Sequence, residues 1–149
     1  NKYKLVLAGR LAWDTDEIKQ SILDSPAIIH TGMVSEAVKY KLISGAVAMT
    51  YISVFEGFGI PLLEAMKTGT PVITSNVSSM PEVAGDAALL VSPTDKNDIA
   101  NAMKAISSDN ALRQDLIKKG YKRYRYFSWN KSAEIIHKAI SVLKNKNSK

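Results

Sequence analysis

The chain has 149 residues, of which 46% are apolar and 23% charged, and this balance excludes a disordered or a fibrous protein. It has no cysteine, which excludes a disulfide scaffold and thiolate metal sites. The only histidines, His30 and His137, are too few and too isolated to build a metal centre. The length is typical of one domain with its own core.

The net charge of +6 is distributed unevenly along the chain. Residues 1–110 contain nine Lys/Arg against twelve Asp/Glu (−3), whereas residues 111–149 contain eleven against two (+9). Nucleic acid, an anionic membrane and a solvated helix face are the three explanations of such a basic end. Because no apolar run reaches the roughly 18 residues that cross a bilayer, and no signal peptide is recognisable, we expect a soluble cytoplasmic protein.

The first third of the sequence alternates short apolar runs with helical patterns. The runs "YKLVLAG" and "AIIHTG" predict two strands, and "DTDEIKQSIL" and "SEAVKYKLIS" predict the helices that follow them. The strands correspond to residues 3–9 and 27–32, and the second helix to residues 35–44 with Ser35 as its N-cap.

The same alternation continues to the end of the chain. Strands are predicted for "AVAMTYIS", "PVITS" and "AALLVS", which are residues 46–53, 71–75 and 87–92. A helix is expected from Ile60 to Lys67 with Gly69 as its C-terminal cap. From about Asp95 the pattern is helical, with breaks near Asp109 and Ser128.

The strands are apolar throughout rather than alternating, which is typical of strands buried on both faces of a parallel sheet. Alternating strands and helices predict an α/β fold with a Rossmann-like, doubly wound parallel sheet and long C-terminal helices. Such sheets bind ligands at the carboxyl ends of their strands.

The stretch "FEGFGIPLLEAMKTG" follows one of those strand ends. Gly57 and Gly59 allow a close backbone approach, and Pro61 suits the first turn of a helix, whose N-terminus favours an anion such as phosphate. Glu56 and Glu64 would flank that anion, and carboxylates bind sugar hydroxyls well. The residues by themselves leave two interpretations open, a nucleotide-sugar site and a purely structural turn.

Several further motifs appear in order along the chain: "LVLAG" followed by Trp13, "HTGMVS", the E-x7-E pair Glu56 and Glu64, "GTPVITSN", "PEVAGDAALLVSP" and "RYFSW". Together they resemble the donor-binding, C-terminal half of retaining glycosyltransferases of family 4, which have the GT-B fold. The resemblance covers nearly the whole chain.

The resemblance implies roles for individual residues. Those that would contact the donor sugar are Glu56, Gly57, Phe58 and Gly59. The diphosphate would meet Gly59 and Ile60, Glu64 would hold the ribose, and Val34 would lie beside the nucleobase. The implied reaction transfers a hexose with retention of configuration and without a metal or other cofactor, and no catalytic residue is assigned in this chain.

Two departures from the family pattern stand out. The family's first strand, with its Arg/Lys pair that touches the diphosphate, is expected to be missing, as is the N-terminal acceptor domain. Residues 1–149 are therefore interpreted as a single donor-binding domain that is inactive alone. Two alternatives follow for the gap in the sheet: the neighbouring strands close together, or a second copy fills the gap and makes a homodimer.

The resemblance is nearest to mannosyl-type members, which makes GDP-mannose the leading donor, with uridine and adenosine diphosphate sugars as alternatives. Polysaccharide synthesis at the bacterial cell surface is the implied setting. The alternative function is a non-catalytic module that binds sugar nucleotides or phosphate. For "KKGYKRYRYFSWNK", a solvated helix face ranks ahead of peripheral contact with the inner membrane surface or a lipid acceptor, and nucleic acid ranks last.

Overall fold

The computed structural model describes residues 3–12 and 15–147, and of residues 144–147 only the backbone. Trp13, which contributes to one of the motifs above, lies outside these residues. The chain forms two compact units, Asn1–Ile43 and Ser44–Lys149.

The first unit is built from two strand–helix repeats. Its elements are β1 (Leu5–Ala8), α1 (Asp16–Asp24), β2 (Ile28–Gly32) and α2 (Glu36–Gly45), whose last two residues pass the boundary of the unit. β1 and β2 pair in parallel, with Leu5 opposite Ile28. The predicted strands and helices are confirmed, and Ser35 caps α2 because its hydroxyl accepts a hydrogen bond from the backbone N–H of Val38 at 3.4 Å.

The prediction that every strand is buried on both faces is wrong for this unit. Leu5 and Val6 of β1 are 39% and 41% exposed, and Ile29 of β2 is 44% exposed. A sheet of two strands needs a layer of structure on each face before its side chains leave water. The unit has only two helices in its described residues, and they do not cover both faces of the sheet. Its strands therefore stay partly exposed although their residues are apolar.

The second unit holds a three-stranded parallel sheet in the order β3-β4-β5. Its elements are β3 (Met49–Tyr51), α3 (Ile60–Thr68), β4 (Val72–Ser75), α4 (Met80–Ala84), β5 (Ala88–Val91), α5 (Lys96–Ser108), α6 (Asn110–Tyr124) and α7 (Trp129–Asn147). All four residues of the central strand β4 are buried, as predicted for a strand covered on both faces, whereas the outer strands β3 and β5 each expose one residue, Thr50 and Leu90.

The predicted helix boundaries of this unit are confirmed by their caps. Gly69 ends α3 in the left-handed region with φ +75°, and its N–H bonds back to the last turn. The carboxylate of Asp95 accepts hydrogen bonds from the N–H groups of Asn97 and Asp98, at 2.8 and 3.2 Å, at the start of α5. Asp109 starts α6 in the same way by accepting from the N–H of Leu112 at 2.9 Å.

The core of the second unit joins the sheet to α5 and α6. Ile73, Val91, Ile106 and Leu116 form one buried cluster. α6 packs on α3 through a glycine, because a Cβ at Gly120 would lie 3.3 Å from Cγ of Met66. Leu116 and Gly120 are therefore buried, and of the basic residues of α6 Lys118 and Lys122 are exposed, whereas Arg113, Lys119 and Arg123 are half-buried.

The last helix, α7, exposes a large apolar surface. Its exposed apolar residues are Trp129, Ile135, Ile136, Ile140, Val142 and Leu143. Among the described residues, no helix has the combination of length and hydropathy that spanning a bilayer requires.

Candidate functional site

The turn between β3 and α3 contains a glycine whose backbone conformation disfavours any side chain. Gly59 has φ +104° and is buried, and a Cβ at this position would lie 2.5 Å from Cε of Met80. Gly57 differs, since a Cβ there would meet nothing within 4 Å. Gly59 is therefore required by the packing, whereas the space beside Gly57 is open to a ligand.

Residues 56–59, which we call the glycine loop, are fixed by hydrogen bonds to two serines, Ser78 and Ser79. The Oγ of Ser78 accepts a hydrogen bond from the N–H of Glu56 at 3.1 Å and donates to its carbonyl oxygen at 2.9 Å. The Oγ of Ser79 reaches the carbonyl oxygens of Glu56 and Phe58 at 2.9 and 3.1 Å. Neither serine is predicted as a site residue from the sequence. A signal was present, because both follow the carboxyl end of β4, where parallel sheets bind ligands.

The carboxylate of Glu56 is oriented by the end of β3. Its Oε2 accepts hydrogen bonds from the hydroxyl of Tyr51 at 3.0 Å and from that of Ser53 at 3.3 Å. Oε1 has no partner among the residues that the structure describes, so it can accept a hydrogen bond from a ligand hydroxyl. The arrangement presents one oriented carboxylate oxygen beside an open glycine.

The pKa of the Tyr51 hydroxyl is raised by its surroundings, including this contact with Glu56. Burial raises the pKa of the Tyr51 hydroxyl above its ordinary value, and the hydrogen bond to Glu56 and the charge of that carboxylate raise the pKa further. The Ser53 hydroxyl acts in the opposite direction. Tyr51 therefore stays protonated and keeps donating its hydrogen to Glu56 across the physiological range.

The second glutamate, Glu64, lies one turn inside α3 and is half-buried. Glu56 precedes the helix, so the two carboxylates lie before and after the first turn of α3, as the sequence predicts. At that helix start Gly59 is buried and Ile60 is 53% exposed. The roles expected for Gly59, Ile60 and Glu64 toward a diphosphate and a ribose stay predictions.

Val34, the residue expected beside a nucleobase, belongs to the first unit. It follows β2 by two residues and is half-buried just before α2. Its position after the carboxyl end of a parallel strand is the one that ligand-binding residues occupy in such sheets. Its role toward a base stays a prediction.

A cleft of about 390 Å³ opens beside the glycine loop. Six of the residues that line it come from the loop, from α4 and from the C-terminal part of α6 with the turn after it: Gly57, Phe58, Glu82, Arg123, Tyr126 and Phe127. The rings of Phe58 and Phe127 meet edge to face, with centroids 5.6 Å apart and planes at 87°. The last three of these six were not expected at a site, because only the packing of α6 brings them to the loop.

Comparisons with known proteins identify relatives of this chain. The sequence profile of the family described as glycosyl transferases group 1 matches residues 1–123. The chain is 35% identical over 131 residues to the O-antigen chain mannosyltransferase B of Escherichia coli, an alignment that covers 86% of this chain and 34% of that protein. It thus spans about a third of the length of this curated relative.

Two solved structures show the same fold. The sucrose-phosphate synthase of Thermosynechococcus elongatus superposes with a TM-score of 0.78 at 27% identity, over 96% of this chain and 39% of that one. Anabaena Alr3699/HepE, solved in complex with UDP-glucose, superposes with a TM-score of 0.79 at 19% identity, over 93% of this chain and 41% of that one. The chain therefore has the α/β fold of the GT-B glycosyltransferases and belongs to the group 1 glycosyltransferase family.

Proposed function

We propose that this chain is the donor-binding domain of a retaining glycosyltransferase, which moves a hexose from a nucleoside diphosphate sugar to an acceptor. The observation that carries the proposal is the oriented Glu56 carboxylate, held by Tyr51 and Ser53 beside the open backbone of Gly57. A polar side chain that is already fixed before binding loses little conformational entropy when the ligand binds.

The hexose, the diphosphate and the ribose of the donor each have a counterpart in the second unit. The free Oε1 of Glu56 and the backbone of residues 57–59 would bind hydroxyls of the hexose. The N-terminus of α3 at Gly59 and Ile60 would face the diphosphate, since the helix dipole favours negative charge there. Glu64 would accept hydrogen bonds from the ribose hydroxyls. Val34 would contact the base.

The proposed donor is GDP-mannose. The similarity to a mannosyltransferase of O-antigen synthesis supports mannose as the sugar and a cell-surface polysaccharide as the product. The UDP-glucose complex of the Anabaena structure makes a uridine diphosphate sugar the main competitor. The proposed location of the domain is the cytoplasm. Peripheral contact with the inner membrane surface and a homodimer are proposed as further possibilities.

The acceptor-binding half and the catalytic groups are proposed to lie outside this chain, which matches about a third of a full-length relative. Transfer is also proposed to need no metal. Binding of the donor should then be the same in EDTA as in excess Mg²⁺, and a loss of binding on chelation would argue against this part of the proposal.

The test of the function is a calorimetric titration of the chain with GDP, UDP and ADP. Saturable binding of one nucleotide, weakened about tenfold or more in Glu64→Ala, supports the ribose role and names the base. Glu134→Ala is the matched control, because this glutamate is exposed on α7 and lies outside the site. If none of the three nucleotides binds at millimolar concentration, or if both variants bind equally, the proposed donor site is wrong.

A further inference from the structure

The cleft beside the glycine loop is separate from the Glu56 carboxylate. Glu56 does not line it, and its carboxylate is bonded to Tyr51 and Ser53 at the end of β3. The cleft instead lies against Gly57 and Phe58. A ligand in it would therefore be next to a hexose held by the glycine loop without competing for the same carboxylate.

One wall of the cleft is a guanidinium that is fixed before any ligand binds. The Nε–H of Arg123 donates to the carbonyl oxygen of Val83 at 3.0 Å, and an Nη2–H donates to the carbonyl oxygen of Glu82. The guanidinium carbon lies 5.0 Å from the centre of the Phe127 ring. The remaining N–H groups of Arg123 have no acceptor among the described residues and are available to a ligand.

The other polar group of the cleft is a carboxylate. Glu82 is exposed, and within the described part of the chain its side chain makes no ion pair or hydrogen bond. It does not pair with Arg123, although both line the same cleft. The cleft thus presents a charged donor and a charged acceptor that the fold leaves unmatched.

Aromatic rings supply the apolar surface between these two groups. Phe58 is 42% and Tyr126 60% exposed. Tyr126 is held in place by two cations, the guanidinium of Arg123 at 5.2 Å and the ammonium of Lys131 at 4.3 Å from its ring centre. Such rings offer rigid apolar contact at low cost in conformational entropy.

We propose that this cleft binds one pyranose ring of a saccharide acceptor, the rest of which would meet the acceptor-binding half that is proposed above to lie outside this chain. Sugar hydroxyls both donate and accept, which suits an unmatched carboxylate and an unmatched guanidinium, and the C–H surface of the ring suits the aromatic side chains. Phosphate would be repelled by Glu82, and an apolar ligand would leave the Glu82 carboxylate and the remaining N–H groups of Arg123 without partners. That the ring belongs to the acceptor rests on the proposed function; that the cleft takes a saccharide does not.

The test uses methyl α-mannopyranoside, titrated into the isotope-labelled chain and followed by the amide resonances of Gly57 and Phe58 and the Nε resonance of Arg123. We expect saturable shifts with a dissociation constant in the millimolar range and about a fivefold or larger weakening in Glu82→Gln. Tyr126→Ala should weaken binding as well. Glu134→Gln is the matched control and should bind as the unaltered chain does.

Three results would overturn the proposal. The first is the absence of saturation at about 100 mM mannoside, well above the expected dissociation constant. The second is binding that is lost in Glu56→Gln but kept in Glu82→Gln, because the mannoside would then occupy the donor site. The third is inorganic phosphate that shifts the Arg123 resonance more strongly than the mannoside does. Nucleotide titrations of the same samples report separately on the donor site, so either proposal can fail alone.

Discussion

Arg123 donates a hydrogen bond from its Nε–H to the carbonyl oxygen of Val83 at 3.0 Å, across 40 positions of the chain. The same guanidinium lies against the ring of Phe127, and Phe127 meets Phe58 edge to face. One arginine therefore connects α4, the turn after α6 and the glycine loop. The connection explains why Tyr126 and Phe127, in the turn after the basic helix α6, lie beside a candidate sugar site.

Replacing Arg123 should destabilise the second unit. Arg123→Ala removes two hydrogen bonds to backbone carbonyls and the contacts with two rings, and we expect a loss of about 2–3 kcal/mol in the free energy of unfolding. Urea denaturation measures it. The control is Arg125→Ala, since Arg125 is exposed and its side chain has no partner in the described structure; its effect should stay within about 0.5 kcal/mol. Equal losses in the two variants would contradict the bridging role of Arg123.

The two glycines of the loop should differ in their tolerance of a methyl group. Gly59→Ala places a Cβ 2.5 Å from Cε of Met80 at a residue with φ +104°, and should cost about 1–3 kcal/mol of stability. Gly57→Ala meets open space and should cost less than about 1 kcal/mol. Thermal unfolding of both variants makes the comparison. A Gly57→Ala variant as unstable as Gly59→Ala would show that the loop is packed differently.

Tyr51 should titrate above its ordinary pKa, and Glu56 should contribute to the shift. In Glu56→Gln the pKa of Tyr51 should fall toward its ordinary value while staying above it, because burial is the larger cause. In Ser53→Ala it should rise, since the serine hydroxyl lowers the pKa of Tyr51. Carbon-13 NMR of the labelled tyrosine ring measures these changes, and a shift of the same sign in both variants would contradict the arrangement.

The same pKa shift has a consequence for stability at high pH. A tyrosine whose folded pKa is raised holds its proton more tightly in the folded chain than in the unfolded chain. Its contribution is therefore complete below the ordinary pKa of 10.0 and is lost as the pH rises through the folded pKa. Above about pH 10 the unaltered chain should lose stability more steeply than Tyr51→Phe, which denaturation at a series of pH values measures.

Replacing Ser79 should weaken the binding of GDP-mannose more than the binding of GDP. Ser79→Ala removes the hydrogen bond that its single hydroxyl hydrogen makes to the carbonyl oxygens of Glu56 and Phe58, and the loop backbone is the part expected to meet the hexose. A loss of about 1 kcal/mol, or roughly fivefold in the dissociation constant, is expected for GDP-mannose, and a smaller one for GDP. Calorimetry with the two ligands separates the effects.

The control for this prediction is Ser107→Ala. The Ser107 hydroxyl bonds only to the carbonyl oxygen of Lys104 within α5, so its removal should change neither affinity. Equal weakening of GDP and GDP-mannose by Ser79→Ala would mean that the serine supports the whole domain rather than the sugar side of the loop.

The sequence by itself determined the elements and the place of the glutamate pair. Pro61 and Gly69 bound α3, and Asp95 and Asp109 cap the next helices, because each of these signals acts on backbone groups within a few residues of itself. The positions of Glu56 before the start of α3 and of Glu64 after it also follow directly from their spacing along the chain. These features could be predicted because nothing distant decides them.

Only the tertiary structure decided which strands are buried and what surrounds the glycine loop. β1 (LVLA) is more apolar in sequence than β4 (VITS), yet Leu5 is 39% exposed and Ile73 fully buried, because burial depends on the layers that cover a strand. Ser79 reaches the loop from 21 positions away, and Arg123 bonds to α4 beside the loop from 40 and 41 positions away. Such contacts follow from how α4 and α6 pack on the sheet, and no local pattern in the sequence encodes that packing.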